Sequence, residues 1–148
     1  MTDDWNRVNT GAPDATLLAR VRTVAESYDP LVTATEFDNP LNPEAVHLYV
    51  DDGIATESGR FDVTWTDKGY YRYHYTEGED FNYRYDCHPR DELPDAHFHE
   101  PPTAAHDDAV PSCIAVSRVR LVTLAVLQLW RDAAESGDLS QLQQSNPP

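Results

Sequence analysis

Residues 70–99 read YYRYHYTEGEDFNYRYDCHPRDELPDAHFH, and the way this stretch alternates decides the fold. It holds six of the chain's eight tyrosines and four of its six histidines, with Arg72, Arg84 and Arg90 among them. Side chains on a β-strand alternate between faces with period two. Tyr71, Tyr73 and Tyr75 therefore share one face, and Arg72 and His74 the other. Further on, Phe81, Tyr83, Tyr85 and Cys87 share a face, against Asn82, Arg84, Asp86 and His88. Two strands joined around Glu77-Gly78-Glu79-Asp80 form a hairpin. A one-residue slip inverts every side chain, so only an odd loop puts both aromatic sets on one side. A three-residue loop that sets Arg72 opposite Arg84 pairs like charges. A five-residue loop sets Arg72 opposite Asp86 and His74 opposite Arg84, which the preference for opposite charges across a pair favours. In either register one face is aromatic and the other carries Arg72, His74, Arg84, Asp86 and His88.

A polar sheet face is ordinarily just solvated. This chain, however, carries 26 Asp and Glu against 11 Lys and Arg, a net charge of -15, so an ordinary wet face would be acidic. Arg and His are instead the residue types that bind and protonate phosphate or carboxylate near neutral pH. The single lysine, Lys68, and the acid excess resemble a cytoplasmic protein of a salt-loving microbe, most plausibly a halophilic archaeon. At molar salt the Debye length falls to ~3 Å, which screens the self-repulsion of such a charge. Acidity of this kind does not exclude an anionic ligand such as RNA.

At 148 residues the chain suits one domain with a real core. The start, Met-Thr-Asp-Asp-Trp, has neither the basic residues nor the apolar run of a signal peptide. The apolar stretch 119–130 is too short to span a bilayer. These features predict a cytoplasmic location and no membrane contact. Cys87 and Cys113 are expected to be reduced thiols.

Working outward, Pro13-Asp14 opens a helix whose stripe is Leu17, Leu18, Val21, Val24, Ala25 and Tyr28, closed by Asp29-Pro30. Residues 31–37, 45–51 and 60–66 read as strands, and short strands with tight turns predict an antiparallel meander. Beyond the hairpin, residues 96–99 form a short extended run in which His97 and His99 share a side. Residues 103–111 read as a polar loop. A helix follows, apolar over much of its girth, stopped by Gly137, and buried against the N-terminal helix or a partner. The expected architecture is a single α+β domain over residues 1–137, an antiparallel β-meander of about five strands flanked by an N-terminal and a C-terminal helix. Residues 138–148 are expected to be a disordered tail.

The cluster Arg72, His74, Arg84, Asp86, His88, His97 and His99 admits three kinds of chemistry. A metal-independent phosphodiester-cleaving site needs a base and an acid, which histidine supplies near its ordinary pKa of ~6.5, and cations for the phosphorane, which arginine supplies. A metal site would use His88, His97 and His99, with Asp86 or Cys87, since imidazole suits Zn, Ni or Fe. In the third, the histidines pack and cap.

The order YRYHY, acidic-glycine turn, YRYD, proline loop, HFH resembles the core of the TumE-like toxin family, over residues 70–99. The matching residues are Tyr73, His74, Arg84, Tyr85, Asp86, His88, His97 and His99. Cys87 departs from the family's usual Asn, and the histidine-rich loop is thinned to His88-Pro89-Arg90. The resemblance implies the toxin half of a toxin–antitoxin system, with a cognate antitoxin as partner and, by analogy with other such toxins, RNA as target. The leading expectation is a metal-independent ribonuclease with no cofactor and no metal. His74 and either His97 or His99 would serve as base and acid, Arg72 and Arg84 would hold phosphate, and Asp86 would orient. Tyr73, Tyr85 and His88 would contact substrate. The alternatives are a non-catalytic interaction module whose apolar C-terminal helix binds a partner or a second copy, and a histidine-rich metal-binding domain.

Overall fold

The computed structural model describes residues 11–28, 31–89, 95–105 and 109–143. Helix α1 (Ala15–Glu26) begins where Asp14 accepts the Leu17 amide at 3.0 Å, and it buries Leu18, Val21, Val24 and Ala25. The capping carboxylate satisfies an amide that the first turn leaves without an intrahelical acceptor. The expected stop at Asp29-Pro30 lies outside the described residues.

Seven strands follow in one antiparallel sheet whose spatial order is the sequence order. They are β1 (Val32–Phe37), β2 (Val46–Val50), β3 (Gly59–Trp65), β4 (Tyr71–Glu77), β5 (Phe81–Cys87), β6 (Ala96–His99) and β7 (Val110–Pro111). The meander and the two helices agree with expectation, but the strands number seven rather than about five. β6 pairs with β5, and β7, expected as loop, pairs Val110 with Phe98 and Pro111 with His97. Two residues, one of them proline, are too few to show a period in the sequence.

The hairpin has the charge-paired register, with Arg72 opposite Asp86 and His74 opposite Arg84. Its loop is shorter than the expected five residues. Pairing continues to Glu77 opposite Phe81, so only residues 78–80 turn, and Gly78 takes φ 57°, a left-handed conformation that glycine adopts without a Cβ clash.

The aromatic positions of the hairpin face the helices. Phe61, Trp65, Tyr73, Tyr75, Tyr83, Tyr85 and Phe98 are buried with Val46, Leu48 and Val63. Helix α2 (Val119–Ser136) packs on this layer through Val122, Val126, Leu129 and Trp130, and also touches α1, where the Tyr28 hydroxyl donates to Gln128 at 3.1 Å. Gly137 at φ 72° ends it, donating its amide to Ala133 at 2.8 Å. Burying a large apolar side chain is worth roughly 1.5–3 kcal/mol, provided its polar atoms find partners. The Tyr73 hydroxyl accepts from Trp65 Nε1 at 2.9 Å and meets Thr123 Oγ1 at 2.6 Å, while Tyr85 donates to the Leu142 carbonyl at 2.7 Å.

That last bond corrects the tail. Residues Leu139–Gln143 form a 3-10 helix with Leu142 buried, and Gln143 bonds the Cys113 amide at 3.1 Å and the Pro111 carbonyl at 3.0 Å. A polar segment is thus held by one leucine and by side-chain amide bonds, which composition does not reveal. Residues 144–148 lie outside the described residues.

Candidate functional site

On the sheet face away from the helices, two rows of side chains cross β4, β5 and β6. Arg72 stands opposite Asp86 and Asp86 opposite His97; in the next row His74 stands opposite Arg84 and Arg84 opposite His99. Directly opposed residues of an antiparallel pair point to the same side, so register alone gathers six of these side chains.

Asp86 is the centre. Its Oδ1 accepts from Arg72 Nε at 3.1 Å and its Oδ2 from Arg84 Nε at 2.9 Å. Around Oδ2 also stand His99 Nε2 at 3.3 Å, His97 Nε2 at 3.7 Å and His88 Nε2 at 3.9 Å. The carboxylate is only 1% exposed. Burial works to raise its pKa, but the His99 contact and the Arg72 and Arg84 charges outweigh burial and hold the carboxyl well below the usual range.

The three imidazoles are oriented in the same way. Nδ1 of His88 lies 3.1 Å from the Pro89 carbonyl, Nδ1 of His97 3.1 Å from the Asp95 carbonyl, and Nδ1 of His99 3.1 Å from the Ala105 carbonyl. A carbonyl oxygen only accepts, so each Nδ1 carries the hydrogen, and in the neutral ring the lone pair belongs to Nε2. At His99 that lone pair accepts from Arg84 Nη2 at 3.1 Å. The same atom donates to Asp86 only when the ring is protonated, so the two contacts belong to different protonation states. Asp86, His88 and His97 each offer one ligand atom, all within 4.8 Å of one another.

Exposure sorts the cluster into a rim and a floor. The side chain of Arg72 is 49% exposed, His88 19% and Arg84 17%, whereas His97 and His99 are buried. His74 is half-buried one row away, where its Nε2 meets Asn82 Oδ1 at 2.9 Å.

The structure therefore brings Arg72, Arg84, Asp86, His88, His97 and His99 together, with His74 beside them. It does not bring Tyr73 or Tyr85. Both are wholly buried on the opposite face with their hydroxyls engaged in the core, so neither offers a ring for substrate contact. The alternation that placed them with the aromatic set already separated them from Arg72 and Arg84. Cys87 also belongs to that side, opposite Tyr71 and Ala96, and burial, with help from Asp95 and Asp86, pushes its thiol up to about 11. Arg90 of the proline loop lies outside the described residues.

Three further polar side chains came to light only in the structure, Asn82 and His47 beside the polar rows and Glu77 on the aromatic side. Asn82 fixes His74 and also donates to the Pro102 carbonyl at 3.1 Å. His47 joins the polar row through Asp62, which stands opposite both His47 and His74, and its Nδ1 lies 2.6 Å from Asp62 Oδ1. Parity flags His47 and Asp62 only once the β2–β3 register is known. Glu77, at the end of β4, is almost fully buried and gathers the amides of Ile54, Ala55 and Thr56, at 2.8 Å for Ala55 and 2.7 Å for Thr56.

Among known families, the model described as Toxin TumE matches residues 20–135, from α1 through the sheet to the end of α2. The chain belongs to the TumE toxin family. No curated protein and no solved structure gives a significant match. No helix among the described residues is long and apolar enough to cross a membrane.

Proposed function

We propose that this chain is the toxin of a toxin–antitoxin pair, neutralised by a cognate antitoxin, and that it acts by cleaving RNA at the Asp86 site. One observation carries the proposal: in a chain of net charge -15, two guanidinium groups and a set of imidazoles converge on one buried carboxylate, with Arg72 reaching solvent. Arg72 and Arg84 hold the phosphate and offset the charge of the phosphorane. His74 takes the proton of the ribose 2′-hydroxyl as its oxygen attacks the adjacent phosphorus. The bond to the 5′-oxygen breaks, and that oxygen receives a proton from the Asp86 cluster, whose accessible imidazole is His88. The products are a 2′,3′-cyclic phosphate and a 5′-hydroxyl, and the histidines exchange protons with water. His97 and His99, expected as acid or base, are buried and act behind the rim by positioning Asp86 and Arg84.

Expression of the chain alone, in a host matched for salt, tests this. Wild type is expected to arrest growth, and Arg72→Ala and His74→Ala to relieve arrest at equal levels of folded protein, with cyclic-phosphate RNA ends appearing only in the arrested cells. Absence of arrest by folded wild type removes the toxin activity. Arrest that survives both substitutions removes this site.

The interaction-module alternative needs an apolar patch on α2. Among the described residues of that helix, Leu121 is the exposed large apolar side chain, at 36%, and Val122, Val126, Leu127, Leu129 and Trp130 are buried within the chain. That geometry favours the site over the helix as the seat of function.

A further inference from the structure

We propose that Asp86, His88 and His97 form a binding site for one divalent transition-metal ion, in place of the metal-independent chemistry that the sequence suggests. The site concerns what the cluster binds; its existence does not depend on RNA being the substrate.

The first support is the donor set. Two imidazole nitrogens and a carboxylate oxygen, mutually within 4.8 Å, match the ligand types of zinc, nickel and cobalt sites. With ligand bonds of about 2.1 Å, a tetrahedral ion sets its ligands roughly 3.4 Å apart. His97 Nε2 and His88 Nε2 stand 3.7 and 3.9 Å from Asp86 Oδ2, within a set that spans up to 4.8 Å, so closure onto a tetrahedral ion needs a few tenths of an ångström at the carboxylate and a shift of about an ångström by the more exposed His88 ring. One strand supplies Asp86, its paired neighbour supplies His97 at the directly opposed position, and His88 follows two residues after Asp86. The sheet thus sets the spacing of Asp86 and His97, and the bend just past β5 carries His88.

The second support is independent of the first. Metal-bound histidines characteristically donate their other ring N–H to a carbonyl or carboxylate, which fixes the tautomer and aims the ligating nitrogen. Here the Nδ1 atoms of His88 and His97 are both held at 3.1 Å by backbone carbonyls, of Pro89 and Asp95. In the neutral form of each ring the Nε2 lone pair is thereby aimed toward Asp86 Oδ2, so a cation between them would be held from both sides. Arg84, which donates to the same oxygen at 2.9 Å, and Arg72, on the other oxygen at 3.1 Å, leave the ion next to two positive groups. An anion is therefore the favoured additional ligand. On the RNA-cleaving function, the ion would stand where the leaving oxygen needs an electrophile, relieving His88 of that task.

The test is a titration of the folded, chelator-stripped protein with Co2+, followed by visible absorption, and with Zn2+ followed by calorimetry, both in high salt to suppress binding to surface carboxylates. One ion per chain with a cobalt spectrum of imidazole ligation is expected, weakened at least about tenfold by His88→Ala and by His97→Gln. His47→Ala, which alters the separate pair with Asp62, is expected to leave binding intact. His88→Ala acts at the accessible ligand and keeps the test decisive if the buried His97→Gln protein does not fold. Failure of folded wild type to bind either ion saturably overturns the site, and so does binding that His88→Ala leaves unchanged. Growth arrest by a wild type that binds no metal would overturn the ion while leaving the toxin function standing.

Discussion

At the scale of single residues, Asp86 and Arg72 make an ion pair whose two members should behave in opposite ways. Asp86 is buried and satisfies two guanidinium groups; Arg72 is half exposed, and water can replace its partner. Removing one member of a buried charged pair typically costs about 3–5 kcal/mol, because the charge left behind has no compensation, whereas a solvent-exposed pair is worth about 0–1 kcal/mol. Asp86→Asn keeps the shape and deletes the charge. It is expected to lower the unfolding free energy by about 3 kcal/mol or more through Arg84, which is mostly buried. Arg72→Ala strands one oxygen of the buried Asp86 but leaves Arg84 on the other, so it is expected to cost less than Asp86→Asn, about 1–2 kcal/mol, while relieving growth arrest. Urea denaturation of the two variants separates the roles. Equal stability losses would mean that Arg72 is a structural residue and not a phosphate-binding one.

At the scale of elements, Glu77 is a tie between β4 and the loop that precedes β3. Its buried carboxylate takes the amides of Ile54, Ala55 and Thr56 together with the Tyr75 hydroxyl, so one side chain pins a half-buried to exposed loop to the end of the strand. The fit is close at Gly53, where a Cβ would stand 2.3 Å from the Thr56 carbonyl oxygen and 2.9 Å from the Glu77 carboxylate. Hydrogen bonds to a charged group are worth about 1.5–3 kcal/mol each, and stranded donors add to the loss. Glu77→Ala is expected to lower the unfolding free energy by on the order of 3 kcal/mol, read from the urea midpoint, with a smaller effect from Glu77→Gln. A loss under about 1 kcal/mol would show that water satisfies the loop. This tie also shows where the sequence stops being legible. Alternation alone located the aromatic and cationic faces, and the preference for opposite charges selected the pairing of Arg72 with Asp86. The same rule put His97 and His99 on one side without saying beside what, because the register of β6 depends on a loop with no periodic signal. Glu77 looked like part of a polar turn, since its value lies in backbone amides more than twenty positions earlier. The loop length and β7 escaped for a related reason: a pair at a strand end carries too few residues to register as a pattern.

At the scale of the whole molecule, the tyrosine layer ties stability to pH from the alkaline side. Burial raises the hydroxyls of Tyr71, Tyr73, Tyr75, Tyr83 and Tyr85 above the ordinary value of about 10. In the unfolded chain these groups ionise first, so the unfolded state binds fewer protons once pH exceeds about 10. The stability associated with them is whole below that pH and is lost as pH rises above it, by about 1.4 kcal/mol per pH unit for each tyrosine still neutral in the fold. Five such groups acting together make the loss steep, and extra negative charge on a chain already at -15 adds repulsion to it. At molar salt the repulsion is screened over a Debye length of ~3 Å, whereas the buried hydroxyls remain protected, so the tyrosine contribution can be isolated there. Tyrosinate absorbance followed with circular dichroism during an alkaline titration is expected to show these five ionising only together with unfolding, well above pH about 10. Ionisation of all eight tyrosines with native circular dichroism intact would mean that water reaches the layer between sheet and helices. The tight packing on which the position of the Asp86 rows depends would then be wrong.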